Sequence, residues 1–201
     1  MSPIEQLNRD LFLQINGGAN SPVWLVRVAI ATADYLIWLI PSLLLGLWLL
    51  GGQARRSVAL KACAVALLGV VANQAIGVIW PHPRPFVLGL GHTWIPHAPD
   101  SSFPSDHLVV IAGVGLTLLL DGMPGLGVVV LLAGAAIAWA RVFVGVHFPL
   151  DMVGALLVAA AVYLAMTPLW RSIGQPVTTA VERPYLRASN WLLAVGRKNK
   201  A

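Results

Sequence analysis

All five histidines of this 201-residue chain, His82, His92, His97, His107 and His147, fall between positions 82 and 147. The same stretch holds Arg84, Arg141, Asp100, Asp106 and a run of serines ending in Pro104–Ser105, and Asp151 follows His147 by four residues. Pro149 suits the first turn of a helix, where its missing amide has no partner to lose. His147 then stands just before that helix and Asp151 in its first turn. A carboxylate so placed can accept the Nδ1–H of His147 and leave Nε2 unprotonated. Ser105 precedes a second apolar run, where its hydroxyl can cap and the neighbouring amides favour an anion. Arg84 and Arg141 add two guanidinium forks suited to phosphate oxygens. Two arginines and two helix N-termini describe a site for a single phosphoryl group. Held there, phosphorus is open to attack by one histidine, giving a phosphohistidine, while the other protonates the leaving oxygen and later activates water. His147, with its carboxylate, is the expected nucleophile; His107 is the expected general acid/base. Arg84, Ser105, Arg141 and the backbone of Asp106 are the expected phosphate ligands, the Asp106 carboxylate capping its helix.

The same residue types could hold a divalent metal. Two guanidinium groups in one pocket would repel it, so neither metal nor cofactor is expected. His97 lies in a loop expected to be exposed, where a solvated histidine and a functional one are both admissible. His82 and His92 read as surface residues.

The elements that must position these groups are membrane helices. The chain is 58% hydrophobic and only 10% charged, against about one quarter charged in an ordinary soluble domain. Residues 35–54, 62–83, 122–140 and 152–170 carry no Asp, Glu, Lys or Arg, and each approaches the roughly 20 residues that cross a bilayer as helix. A fifth crossing fits between Phe103 and Gly122. Residues 22–33, apolar apart from Arg27, read as a short or tilted first crossing or a re-entrant piece, with Asp34 able to pair with Arg27. Ile4, Leu7, Leu11 and Ile15 recur at helical spacing, which predicts an interfacial helix within residues 1–20. These first residues lack the pattern of a cleaved signal peptide. Gly113, Gly115 and Gly134 suit close helix packing. The single cysteine, Cys63, allows no intrachain disulfide.

The net charge of +5 is explained by topology. Arg55, Arg56 and Lys61 lie between two spans; Arg171, Arg183, Arg187, Arg197, Lys198 and Lys200 follow the last. The positive-inside rule puts both groups in the cytoplasm. The loop 84–104 and the turn 141–148 then face the other side, and no nucleic-acid partner is implied. The expected architecture is all-α: a membrane-embedded domain over residues 1–170 and a basic cytoplasmic tail over 171–201.

Pro104–Ser105–Asp106–His107 resembles the Pro-Ser-X-His motif of the type 2 phosphatidic acid phosphatase superfamily, relatives of the vanadium haloperoxidases. Arg141, His147 and Asp151 match its third motif in spacing, and Arg84–Pro85 the end of its first. Asn73–Gln74, Pro83–Arg84–Pro85–Phe86–Val87, Ile95–Pro96–His97, Ser102–Phe103–Pro104 and Val144–Gly145–Val146–His147–Phe148–Pro149–Leu150–Asp151 are similar to the bacitracin-resistance type of undecaprenyl-diphosphate phosphatase. The resemblance covers roughly residues 3–170. It implies a six-helix core, a metal-independent phosphohistidine mechanism, a periplasm-facing site in the bacterial inner membrane, and release of phosphate from the lipid carrier of cell-wall synthesis. Gly77 stands where the superfamily's first motif has lysine, and Ala140 where its third has serine. These losses of a cation and a hydroxyl argue against broad phosphomonoesterase activity. Other lipid phosphates, such as phosphatidylglycerophosphate or a lipid A phosphate, share every motif. A lipid transporter is the rival of another class, and it would line its path near the bilayer midplane.

Overall fold

The computed structural model describes residues 2–198; Met1, Lys200 and Ala201 fall outside that range, with Asn199. Its elements are helices α1 (Pro3–Ile15), α2 (Val23–Tyr35), α3 (Leu39–Leu50), α4 (Gln53–Ile79), α5 (Asp106–Leu120), α6 (Pro124–Phe143) and α7 (Pro149–Lys198), with short 3₁₀ turns at Leu36–Trp38 and Pro85–Leu88. Four helical stretches are long and apolar enough to cross a membrane: Val23–Leu50, Gln53–Ile79, Pro124–Phe143 and Pro149–Arg187. The shorter α5 is apolar as well.

α5 is the central rod, with α4, α6 and α7 packed around it. Its sequence is apolar on every side, as a fully enclosed helix requires, and Leu108, Val109, Ile111, Ala112, Val114 and Leu118 are all buried. Small residues let the rods approach. A Cβ on Gly115 would stand 2.7 Å from Leu131, and one on Gly134 3.0 Å from Ile111. The outward faces of the rods carry exposed Leu, Val and Ile, such as Leu67, Val71, Leu132 and Leu157, the surface that lipid solvates.

Residues 22–33 are neither re-entrant nor a separate crossing. α2 continues through the 3₁₀ turn into α3, so 23–50 is one helical path. Pro41, in the first turn of α3, cannot return a hydrogen bond to Ile37, and the chain tightens just there. Counted this way the described residues form six rods, α1 among them. Arg27 and Asp34 do not pair: Arg27 is exposed, and no ion pair among the described residues includes either.

The last helix also departs from expectation, because it does not stop near residue 170. α7 runs 50 residues through Pro168, Pro176 and Pro184, about 75 Å at 1.5 Å per residue, and so extends well beyond a bilayer. Its far part is anchored against the corner between α3 and α4. Thr178 is buried there, and Glu182 forms a buried ion pair with Arg56. The Arg56 guanidinium lies 4.8 Å from the Tyr185 ring centroid and 5.7 Å from that of Trp48. Nearer the bilayer, Lys61 Nζ reaches Asp121 at 2.6 Å and Thr167 at 3.0 Å, and Tyr163 donates to Asp121 at 2.9 Å. These basic residues sit at the end of the bundle opposite to His147.

Candidate active site

Four elements meet at one end of the bundle: the start of α5, the last turn of α6, the start of α7 and the loop 80–105. The turn between α6 and α7 is tight because Gly145 adopts a φ of +87°. A side chain there would also collide with the carbonyl of His92, 2.3 Å from a Cβ. This turn brings Arg141 and His147 to the same cavity.

His147 is the centre of the cluster and only 2% exposed. Its Nδ1 lies 3.2 Å from Oδ2 of Asp151. The same oxygen accepts the amide of Phe148 at 2.7 Å and the hydroxyl of Ser102. On the other side of the ring, Nε2 lies 3.2 Å from Arg84 Nη1 and 3.5 Å from Arg141 Nη2. A guanidinium can only donate, so Nε2 must be the accepting nitrogen and Nδ1 carries the proton toward Asp151. Burial pushes the imidazole pKa down to about 4, with Arg141 and Arg84 pushing the same way and Asp151 opposing them. The ring is therefore neutral near pH 7, with its lone pair on Nε2 directed at two cations.

Arg84 is fixed from behind. Its Nε donates to Asp100 at 2.8 Å, Nη1 to the Val146 carbonyl at 2.9 Å and Nη2 to the Ser101 carbonyl at 3.2 Å. Asp100 is largely exposed; its partial burial raises its pKa, but Arg84 outweighs that and holds the carboxyl below its ordinary value. Arg141 is buried, and its Nε has no partner within the protein. Its Nη2 lies 2.9 Å from His97 Nε2.

His97 is thus not the solvated loop residue that one reading of the sequence allowed. Its Nδ1 faces the Ala98 carbonyl at 3.1 Å, which leaves Nε2 to accept from Arg141. Burial lowers its pKa, and both arginines lower it further. The isoleucine two residues earlier, Ile95, is buried against Ala140 and Val144 and fixes this part of the loop. His82 is half-buried too, its ring 4.3 Å from Trp80 and 5.7 Å from Phe103 between centroids. His92 is exposed, as read.

Ser105 occupies the N-cap of α5, fully buried, and its Oγ has no partner. It does not cap the helix by its side chain; an unpaired hydroxyl beside Pro104 and Asp106, both of which line the cavity, remains free to donate to an anion. The Asp106 carboxylate is not a cap either. Asn73 donates to one of its oxygens at 3.1 Å and Gln74 to the other at 2.7 Å, because α4 passes close enough to offer two amides. His107 lines the cavity, and none of the hydrogen bonds among the described residues engages its ring.

The cavity enclosed by Arg84, His97, His107, Arg141 and His147 measures about 280 Å³. Ser102 and His97 are the residues that sequence reasoning left without a role. Ser102 stood in the serine run next to the motif and His97 in the Ile-Pro-His stretch, so both carried a signal. Gly77 lies on the cavity wall, and a Cβ there would come 3.2 Å from Ser101; the position packs tightly and supplies no third cation. Ala140 is wholly buried in an apolar cluster with Ala29, Ala33 and Phe143.

The model of the PAP2 superfamily matches residues 58–174, which include every residue that lines the cationic cavity. The chain belongs to the PAP2 superfamily.

Among PAP2 relatives, YbjG of Escherichia coli (strain K12), provisionally named an undecaprenyl-diphosphatase, is 35% identical over 188 residues, 94% of this chain and 91% of that protein. Undecaprenyl-diphosphatase BcrC of Bacillus subtilis (strain 168) is 33% identical over 153 residues, covering 76% of this chain and 79% of its own. The crystal structure of a transmembrane PAP2-type phosphatidylglycerolphosphate phosphatase from Bacillus subtilis has the same fold. It superposes with a TM-score of 0.65 at 16% identity, over 86% of this chain and 89% of that one. This PAP2 phosphatase is thus a multi-pass membrane protein built on a helical bundle.

Proposed function

We propose that this phosphatase hydrolyses undecaprenyl diphosphate to undecaprenyl phosphate and inorganic phosphate, by way of a phosphohistidine on His147. The observation that carries the reading is the His147 ring itself, with Nδ1 backed by Asp151 and Nε2 held between Arg84 and Arg141. The sequence kinship to proteins named undecaprenyl-diphosphatases supports the choice of substrate.

The terminal phosphoryl group takes the place of Nε2 as acceptor for the two guanidinium groups, with Ser105 Oγ and the first amides of α5 as further donors. Nε2, its lone pair now free, attacks phosphorus. The bond from phosphorus to the bridging oxygen breaks, and that oxygen leaves as lipid monophosphate, receiving a proton from His107. Asp151 stabilises the positive charge on the phosphorylated ring. His107 then removes a proton from water, whose oxygen attacks phosphorus and displaces Nε2, releasing inorganic phosphate. The two arginines supply the charge compensation that a metal would otherwise give, so turnover proceeds in a chelator.

In this reading the site faces the periplasm, and Arg55, Arg56, Lys61 and Arg171 at the opposite end of the bundle support that orientation. Residues 1–170 constitute the catalytic domain and 171–201 a basic cytoplasmic tail, of which α7 includes the part up to Lys198. The polar groups gather at one end of the bundle rather than near its middle, which favours hydrolysis over lipid transport. Phosphate release from undecaprenyl diphosphate by purified protein in excess EDTA, measured beside His147→Ala, tests the proposal. Release by wild type alone is expected. A folded wild type that spares this substrate but cleaves phosphatidylglycerophosphate or a lipid A phosphate would replace it.

A further inference from the structure

A second cavity, about 470 Å³, lies beside the catalytic one. The size is ordinary for a small-ligand site. It is roofed by α1 through Ile4 and Asn8 and walled chiefly by Trp80, Leu88, Phe148 and Leu150, with the charged Glu5 and Arg9 of α1 on the same lining. Phe103 lines both cavities. Its ring packs edge-on against Trp80, with centroids 5.5 Å apart. On α7, the glycine at 154 leaves room for it: a Cβ there would stand 2.3 Å from the ring. Phe103 is thus shared by a cationic pocket and a mostly apolar groove.

The roof is built in place by specific contacts. Asn8 accepts the amide of Leu150 at 3.0 Å, Asn16 binds the Phe143 carbonyl at 2.9 Å, and the fully buried Phe12 meets Phe148 edge-on at 5.2 Å between centroids. α1 is thereby tied to the turn that carries His147. Ile4 and Leu7 remain 62% and 57% exposed, so the roof itself offers an apolar flank at the groove mouth.

We propose that this groove receives the first isoprenoid units of the substrate, passing Phe103 from the diphosphate in the catalytic pocket. The assignment rests on the diphosphatase reading above and names where its single lipid chain goes. A diphosphate in the cationic cavity has its lipid oxygen on the far side from the terminal phosphorus, and Phe103 borders both that cavity and the groove. One groove serves one chain, as in a polyprenyl ester, and its aromatic walls suit methyl-branched alkene units.

The test compares farnesyl diphosphate with dimethylallyl diphosphate, which carry the same reacting group on long and short chains. Wild type is expected to favour the longer by at least about tenfold in kcat/KM, as differences of a few buried carbon atoms allow. Leu88→Asp and Ile4→Asp, each changing an exposed wall residue, are expected to reduce that preference at least about tenfold. A preference unchanged in both variants, including the case where both substrates slow equally, overturns the groove assignment. Wild type that cleaves neither diphosphate, nor the undecaprenyl compound, would instead refute the functional reading beneath it.

Discussion

Oδ2 of Asp151 lies 3.2 Å from Nδ1 of His147, one helical turn away across the start of α7. That contact sets which ring nitrogen keeps the proton, and Phe148 N and Ser102 Oγ hold the carboxylate in position on the same oxygen. Replacing Asp151 with Asn leaves the shape but permits the wrong tautomer. Turnover should fall on the order of 10³–10⁴-fold with KM little changed, as steady-state kinetics on the folded variant would show. A loss below tenfold would mean that the carboxylate does not orient the ring.

Ser102→Ala removes one donor to a buried carboxylate. A hydrogen bond to a charged group is worth about 1.5–3 kcal/mol, so kcat should drop roughly tenfold to a hundredfold, with Thr restoring part of it. Unaltered kcat in the Ala variant would remove Ser102 from the machinery.

The acidity of His147 gives a pH signature. With its pKa near 4 in the folded protein, below the ordinary value of about 6.5, the acid limb of kcat/KM should fall near pH 4. Linkage runs in the matching direction. Between about pH 6.5 and 4 the unfolded chain binds a proton on this histidine that the native state does not, so stability declines as pH falls through that window. An acid limb of kcat/KM near 6.5 in place of 4 would contradict the buried, neutral ring.

Glu182→Ala leaves the Arg56 guanidinium buried without its carboxylate at the far end of the bundle. Breaking such a pair from one side costs about 3–5 kcal/mol. Thermal unfolding in detergent should shift down by several degrees, while kcat measured below the transition stays near wild type. An equal loss of kcat would connect α7's extension to the catalytic end.

The residues to which the proposal gives chemical roles were visible in the sequence because their relations are local. His147 and Asp151 are four apart across a helix start, and Ser105, Asp106 and His107 surround another, so helical geometry alone brings them into register. Ser102 on Asp151 and His97 on Arg141 were not legible, since both depend on how a 26-residue loop folds back over the bundle. The first crossing was misread because Arg27 and Asp34 interrupt its apolar run; in the fold Arg27 sits on an exposed face and the helix passes through. The reach of α7 was hidden by three prolines, which ordinarily end a helix. Its continuation rests on tertiary contacts at Thr178, Glu182 and Tyr185 that no local pattern announces.

A phosphohistidine on His147 is tested most directly by single turnover of undecaprenyl diphosphate radiolabelled in its terminal phosphate, quenched in cold alkaline detergent, where such a bond survives. Wild type and, more strongly, His107→Ala should carry acid-labile label on the protein, and His147→Ala none. Label retained by His147→Ala, or turnover that never labels His107→Ala or wild type, would contradict a phosphohistidine at His147.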